Sequence, residues 1–258
     1  MRHLSLFTGS GIGNLAAKEC GIETVAQCEN DPACQYALRK IWPDVHLFED
    51  IHDVSIESLR QFGKIDIISG GFPCQDISTA GRGEGIEGAR SSLWREMFRI
   101  IRQVRPRWVL AENVPALRVR GIDRVIAPME RIGYTCWPFL IGSEALGGDI
   151  QRKRFWIVAG TAGVGPQKES LHKMLQGMGG LQCSRSAMRE LADGFCVERR
   201  KDGLDLLRTF PVEVDGLPGG LLPKARNGLI RMVGNAWAYP NALMMFSAIA
   251  EMDRLTSL

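Results

Sequence analysis

Short apolar runs alternate with helical stretches through the first two thirds of the chain, and that alternation limits the fold more than any other feature. Residues 4–7, 24–29, 45–48, 65–69, 108–111, 134–141 and 155–160 read as strands. The stretch from Asn14 to Cys20 reads as a helix closed by Gly21, a good left-handed stop. Asp31 followed by Pro32 is an N-cap with proline at the first helical position. Leu93, Met97, Ile100, Ile101 and Val104 recur at helical spacing behind Ser91-Ser92, and Pro106 stops that helix. Residues 121–132 are helical in pattern, and a strand at 230–233 and a helix over 240–252 close the chain. Strand and helix in alternation predict an α/β fold with a doubly wound, mostly parallel sheet.

The pattern breaks between residues 161 and 228. That stretch is rich in glycine, weakly periodic, and carries ten Lys/Arg against eight Asp/Glu. It reads as a small inserted lobe of 161–228, with 1–160 and 229–258 forming the main domain. Over the 258 residues the net charge is only +3, which permits a nucleic-acid partner without demanding one. The seven cysteines are odd in number and show no CxxC spacing, so no disulfide framework and no metal site is expected. Reduced thiols fit a cytoplasmic protein, and no apolar run is long enough for a membrane span.

Three clusters carry chemistry. Phe7-Thr8-Gly9-Ser10-Gly11-Ile12-Gly13 links the first strand to the first helix. Glycines there let a ligand approach the backbone, and a helix N-terminus favours negative charge. Glu29 at the end of the second strand, with Asn30 beside it, can accept hydrogen bonds from ribose hydroxyls, and Asp50-Ile51 after the third can hold an adenine amino group. Taken alone this loop fits a dinucleotide site or a packing turn equally well. The second cluster is Pro73-Cys74-Gln75, a thiol presented from a stiff turn after the fourth strand. Glu112-Asn113-Val114 ends the fifth strand, on the same edge of a parallel sheet. The third is Arg152-Lys153-Arg154, where alternation puts both arginines on one face.

The order of these motifs, closed by Gly234-Asn235-Ala236, resembles the cytosine-5 DNA methyltransferases that use S-adenosylmethionine. The resemblance spans 4–160 and 229–252, and the compact form is most similar to phage and prophage members. It implies a Rossmann-like methyltransferase fold with 161–228 as the target-recognition lobe. Cys74 would add to carbon 6 of a flipped-out cytosine, and Glu112 would bond ring nitrogen 3 and the exocyclic amine. Arg154 would contact the base carbonyl, with Arg152 in support. Phe7, Gly9, Gly11, Glu29, Asn30, Asp50, Ile51, Pro73, Leu93 and Asn235 would line the pocket for S-adenosylmethionine. The partner implied is double-stranded DNA, the expected state a monomer, and the setting a bacterial cell or a phage-infected host with a restriction-modification system. Residues 78–90, with four glycines and two arginines, would close over the base. The small lobe implies a short recognition site, about four base pairs or fewer.

Rival readings are an RNA cytosine-5 methyltransferase, a silent relative that only binds S-adenosylmethionine or DNA, and a nicotinamide-dependent dehydrogenase. Intact Cys74, Glu112 and Arg154 oppose the silent relative, and the Pro-Cys-Gln turn has no role in a dehydrogenase.

Overall fold

The computed structural model describes residues 1–72, 92–143, 152–161, 198–200, 203–205 and 237–256. Seven strands form one sheet in the order β3-β2-β1-β4-β5-β7-β6. They are β1 (Arg2–Leu6), β2 (Glu23–Cys28), β3 (His46–Phe48), β4 (Ile67–Gly71), β5 (Trp108–Asn113), β6 (Tyr134–Gly142) and β7 (Lys153–Thr161). β1 to β5 run parallel, and β7 is antiparallel to both of its neighbours. The expected α/β architecture with a mostly parallel sheet is therefore present. A separate antiparallel pair, β8 (Glu198–Arg200) with β9 (Gly203–Asp205), falls within the expected recognition lobe, whose other residues lie outside the described ones except for Thr161 at the end of β7; the strand expected at 230–233 also lies outside them.

Consecutive residues of a strand face opposite ways, and the core splits accordingly. Ile68, Val109 and Ile157 join one apolar cluster with Met97, Ile100 and Ile101 of the helix Ser92–Val104 and Val125 and Met129 of the helix Ile122–Arg131. Their neighbours Ile67, Trp108, Trp156 and Val158 join the other. There they meet Leu15 and Ala16 of the helix Ile12–Glu19 and Met245, Phe246 and Ile249 of the helix Tyr239–Thr256. Each large apolar side chain buried this way contributes about 1.5–3 kcal/mol. His3 is enclosed on the second face between Thr24 Oγ1 at 2.9 Å and Ser69 Oγ at 2.7 Å. Burial depresses its pKa to about 3, so it stays neutral and ties β1 to β2 and β4.

One strand boundary differs from expectation. Gly70 and Gly71 read as terminators of a strand over 65–69, yet β4 runs through both. The strand lies between β1 and β5, with Gly70 paired to Leu6 and Ala111 and Gly71 to Glu112. The glycines answer to crowding: a Cβ at Gly70 would stand 3.1 Å from the Leu6 carbonyl oxygen and from Met97 Sδ.

Candidate active site

The carboxyl ends of β1, β2, β4 and β5 share one edge of the sheet, where open parallel sheets bind ligands. β1 ends at Leu6, and Phe7 follows with φ +53, a left-handed backbone rare outside glycine. Such strain persists only where surrounding contacts enforce it. Thr8 supplies them: its N–H donates to the Cys28 carbonyl at 3.0 Å, and its hydroxyl donates to the Ser5 carbonyl at 3.1 Å. Gly11 caps the helix Ile12–Glu19 at φ +81, and a Cβ there would stand 2.7 Å from Trp42 Nε1. A Cβ at Gly9 would meet nothing within 4 Å. The loop is thus packed beneath Gly11 and open over Gly9.

Glu29 is buried beside that opening. The Gly9 N–H donates to its Oε2 at 2.7 Å and the Asp31 N–H to its Oε1 at 2.8 Å. Burial raises its pKa, against the backbone N–H groups of Asp31, Gly9 and Asn30. Asp31 does cap its helix, accepting from Ala33 and Cys34. Asn30 is exposed between the two acids. Asp50 is exposed and caps the 3-10 turn Ile51–Asp53, accepting from the His52 N–H at 2.9 Å and meeting His52 Nδ1 at 2.6 Å. These contacts hold its pKa below the usual carboxylate value. Ile51 is buried in the first apolar cluster, and its carbonyl accepts from Arg99 at 3.2 Å. Leu93 packs against the same cluster from the first turn of the Ser92–Val104 helix.

A two-oxygen carboxylate offers about four acceptor directions, and the hydrogen bonds from the Gly9 and Asp31 N–H groups occupy two on Glu29. The remainder, the open backbone at Gly9 and the buried Ser10 hydroxyl, which has no hydrogen-bond partner among the described residues, fit a nucleoside with free ribose hydroxyls.

The second half of the site is built from β4, β5 and β7. Gly71 and Glu112 are register partners on β4 and β5, and Glu112 pairs with Trp156 on β7. Glu112 is 8% exposed, and Arg154 Nε meets its Oε1 at 2.8 Å. Burial lifts the Glu112 pKa to about 7, although the charges of Arg154 and Arg152 pull it down. Arg152 in turn has a lowered pKa, from burial and the nearby Arg154 charge. The charges of both arginines therefore reach Glu112. Pro73, Cys74, Asn235 and the loop 78–90 lie outside the described residues. The chain leading into the cysteine turn is nonetheless anchored. Asn113 Nδ2 donates to the Phe72 carbonyl at 3.0 Å, while its Oδ1 accepts from the Val114 N–H at 2.8 Å. Phe72 itself is buried, with its ring 5.1 Å from that of Trp94.

Two contributors escaped the sequence reading. Asn113 was legible only as part of its motif, not as a clamp on Phe72. Trp237, edge-on to Trp156 at 4.9 Å, sits over Gly13 and Gly71, and nothing in its local sequence marks it. Among the described residues, no group of three or more His, Cys, Asp or Glu can hold a metal ion, and no helix is long and apolar enough to cross a membrane.

A glycine loop, an acidic second-strand end and a reversed seventh strand define a Rossmann-like domain of the methyltransferase type. Residues 1–179 match the family of C-5 cytosine-specific DNA methylases, and the chain belongs to that family. It is 33% identical over 168 residues to the Type II methyltransferase M2.BsuMI of Bacillus subtilis, covering 62% of this chain and 42% of that protein. With the Type II methyltransferase M.Eco47II of Escherichia coli it shares 34% over 162 residues, 60% of this chain and 38% of that one. The matched part thus spans well under two thirds of these relatives. Among solved structures, a candidate DNA modification methyltransferase from an E. coli prophage superposes with a TM-score of 0.56 at 21% identity, covering 66% of this chain and 49% of that one. Spodoptera frugiperda DNMT2 gives 0.54 at 21%, covering 62% and 50%. These likenesses establish the fold.

Proposed function

We propose that this chain transfers a methyl group from S-adenosylmethionine to carbon 5 of cytosine in double-stranded DNA. The observation that carries this reading is the position of Glu112. It is buried, bridged to Arg154, and paired in register with Gly71, three residues before Cys74.

Residues Phe7, Gly9, Gly11, Glu29, Asn30, Asp50, Ile51, Pro73, Leu93 and Asn235 hold the cofactor in this reading. When bound, the cofactor supplies an electrophilic methyl group. Glu29 accepts from the ribose hydroxyls. Its backbone donors keep the carboxylate aimed, so little ordering is left for binding.

Cytosine carbon 5 is a weak nucleophile. Addition of the Cys74 thiolate to carbon 6 moves electron density onto carbon 5, which takes the methyl group; loss of the carbon 5 proton and elimination of the thiolate from carbon 6 then restore the ring, so one hard step is divided into easier ones. The negative charge that develops on the ring is relieved at nitrogen 3. A carboxyl group with a pKa of about 7 carries that proton in a useful fraction of molecules at neutral pH. Arg154 orients the carboxyl through Oε1 and in this reading contacts the base carbonyl, while Arg152 adds positive charge. The target base must leave the stack to reach this edge of the sheet. Residues 161–228 choose the sequence around it.

The test is nucleoside analysis by mass spectrometry after incubating the chain with labelled S-adenosylmethionine and, separately, duplex DNA and tRNA. Labelled 5-methylcytidine deoxynucleoside from the DNA is expected. Label found only in the RNA, or in neither, overturns the reading.

A further inference from the structure

We infer that Trp237 is a positioning residue that holds Glu112 and the end of β4 in place for the base, an inference that rests on the function proposed above. Trp237 is half-buried ahead of the helix Tyr239–Thr256. Its ring lies edge-on to Trp156, centroids 4.9 Å apart with an interplanar angle of 75°. Trp156 is the register partner of Glu112, so the indole rests on the strand that carries Arg154, with Arg152 just before it.

Two glycines show how closely the indole fits. A Cβ at Gly13, in the helix behind the glycine loop, would stand 3.1 Å from the Trp237 ring. A Cβ at Gly71 would stand 2.7 Å from Trp237 Nε1 and 3.1 Å from Glu112 Oε2. Side-chain carbons do not sit that close to other heavy atoms without displacing them. One ring therefore touches the element behind the cofactor loop, the strand that leads to Cys74, and the neighbourhood of the catalytic carboxyl. Arg154 holds Glu112 by Oε1, and the nitrogen-bearing edge of Trp237 flanks the space in front of Oε2. An aromatic edge is electropositive, and the indole N–H is its most positive point. That edge favours a carboxyl turned toward it. Arg154 and Arg152 are the charged groups that act on Glu112 from β7 and the residue before it.

Three variants test this: Trp237→Phe, Gly71→Ala and the two combined. Trp237→Phe keeps an aromatic ring against Trp156 and Gly13 but removes the N–H edge. The expected result is a fall in kcat of about tenfold, the scale of a small misplacement at a reacting group. Affinity for S-adenosylmethionine should hardly move, nor should the melting temperature at a pH below the titration of Glu112. Gly71→Ala should cost more than Trp237→Phe, and the double variant should recover part of that loss, because the smaller ring makes room for the added methyl. The pH dependence of folding stability gives a readout independent of turnover. Trp237→Phe should extend the stability loss linked to Glu112 to higher pH. Additive kcat effects together with an unmoved pH dependence overturn the inference and leave Trp237 as packing. An inactive wild type overturns the proposed function instead, and the pH dependence of stability then decides the inference alone.

Discussion

Glu29 and Glu112 are both buried carboxyl groups at the same edge of one sheet, yet they are held in opposite ways. Glu29 is fixed by main-chain donors, the N–H groups of Gly9 and Asp31, from the loop behind β1 and the cap of the next helix. Glu112 is fixed by a side-chain cation on another strand, Arg154 of β7. Neutral N–H dipoles favour an aimed anion, and they suit a standing acceptor for a ligand. Burial raises the pKa of both groups, but at Glu112 it outweighs the pull of the Arg154 and Arg152 charges and leaves the value at about 7, and that suits a group that exchanges a proton in each turnover. In the function proposed above, the difference fits Glu29 to binding and Glu112 to chemistry.

Substitutions can break that assignment, and the largest effect belongs to Glu112. Glu112→Gln removes the exchangeable proton and should lower kcat for methyl transfer by about 100-fold or more, the cost of losing one preorganised stabilising group. Steady-state assays with saturating DNA and cofactor check this. Glu29→Ala comes next. Each ribose hydrogen bond that it accepts in the proposed function is worth roughly 1.5–3 kcal/mol, so losing even one should lower cofactor affinity by about tenfold to over a hundredfold in calorimetry, and losing both by more. Some stability is also lost, since the Gly9 and Asp31 donors lose their acceptor. Asp50→Asn should do least. The carboxylate is exposed and committed to its own turn and to His52, an exposed pair worth about 1 kcal/mol or less. A loss of cofactor affinity of up to about tenfold fits the single exposed contact proposed for Asp50, and a larger one would mean that the carboxylate gives up its own turn to meet the ligand.

The same contrast predicts a pH dependence. Glu112 has its folded pKa raised from 4.5 to about 7. Between those values the folded state binds more protons than the unfolded one, so stability falls as pH rises across this window. Below it the group costs nothing, and above it the cost is complete, on the order of 3 kcal/mol. Denaturant titrations of wild type against Glu112→Gln should therefore diverge across that window, with wild type losing ground as pH rises. Parallel curves would show that Glu112 titrates normally.

Much of this was legible in the sequence because the features concerned are local. Asp31-Pro32 announces a helix cap, and the cap is present. The run at Ile67 and Ile68 announces a buried strand, but its end was misplaced because Gly70 and Gly71 look like terminators. Their actual constraint is crowding by Leu6, Met97, Trp237 and Glu112, residues distant in the chain. Glu112 and Arg154 could be nominated from their motifs. Their contact depends on β7 reversing direction beside β5, which no local pattern encodes. Trp237 was silent for the same reason: its partners at 13, 71 and 156 are brought to it only by the completed sheet.

The most direct test of the division between the two carboxyl groups is a calorimetric titration of S-adenosylmethionine into Glu112→Gln and Glu29→Ala side by side, at a pH where wild type is active. Glu112→Gln should bind the cofactor within about twofold of wild type, and Glu29→Ala at least about tenfold more weakly. Equal weakening in both, or weakening confined to Glu112→Gln, would contradict the assignment of Glu29 to the cofactor and Glu112 to the base.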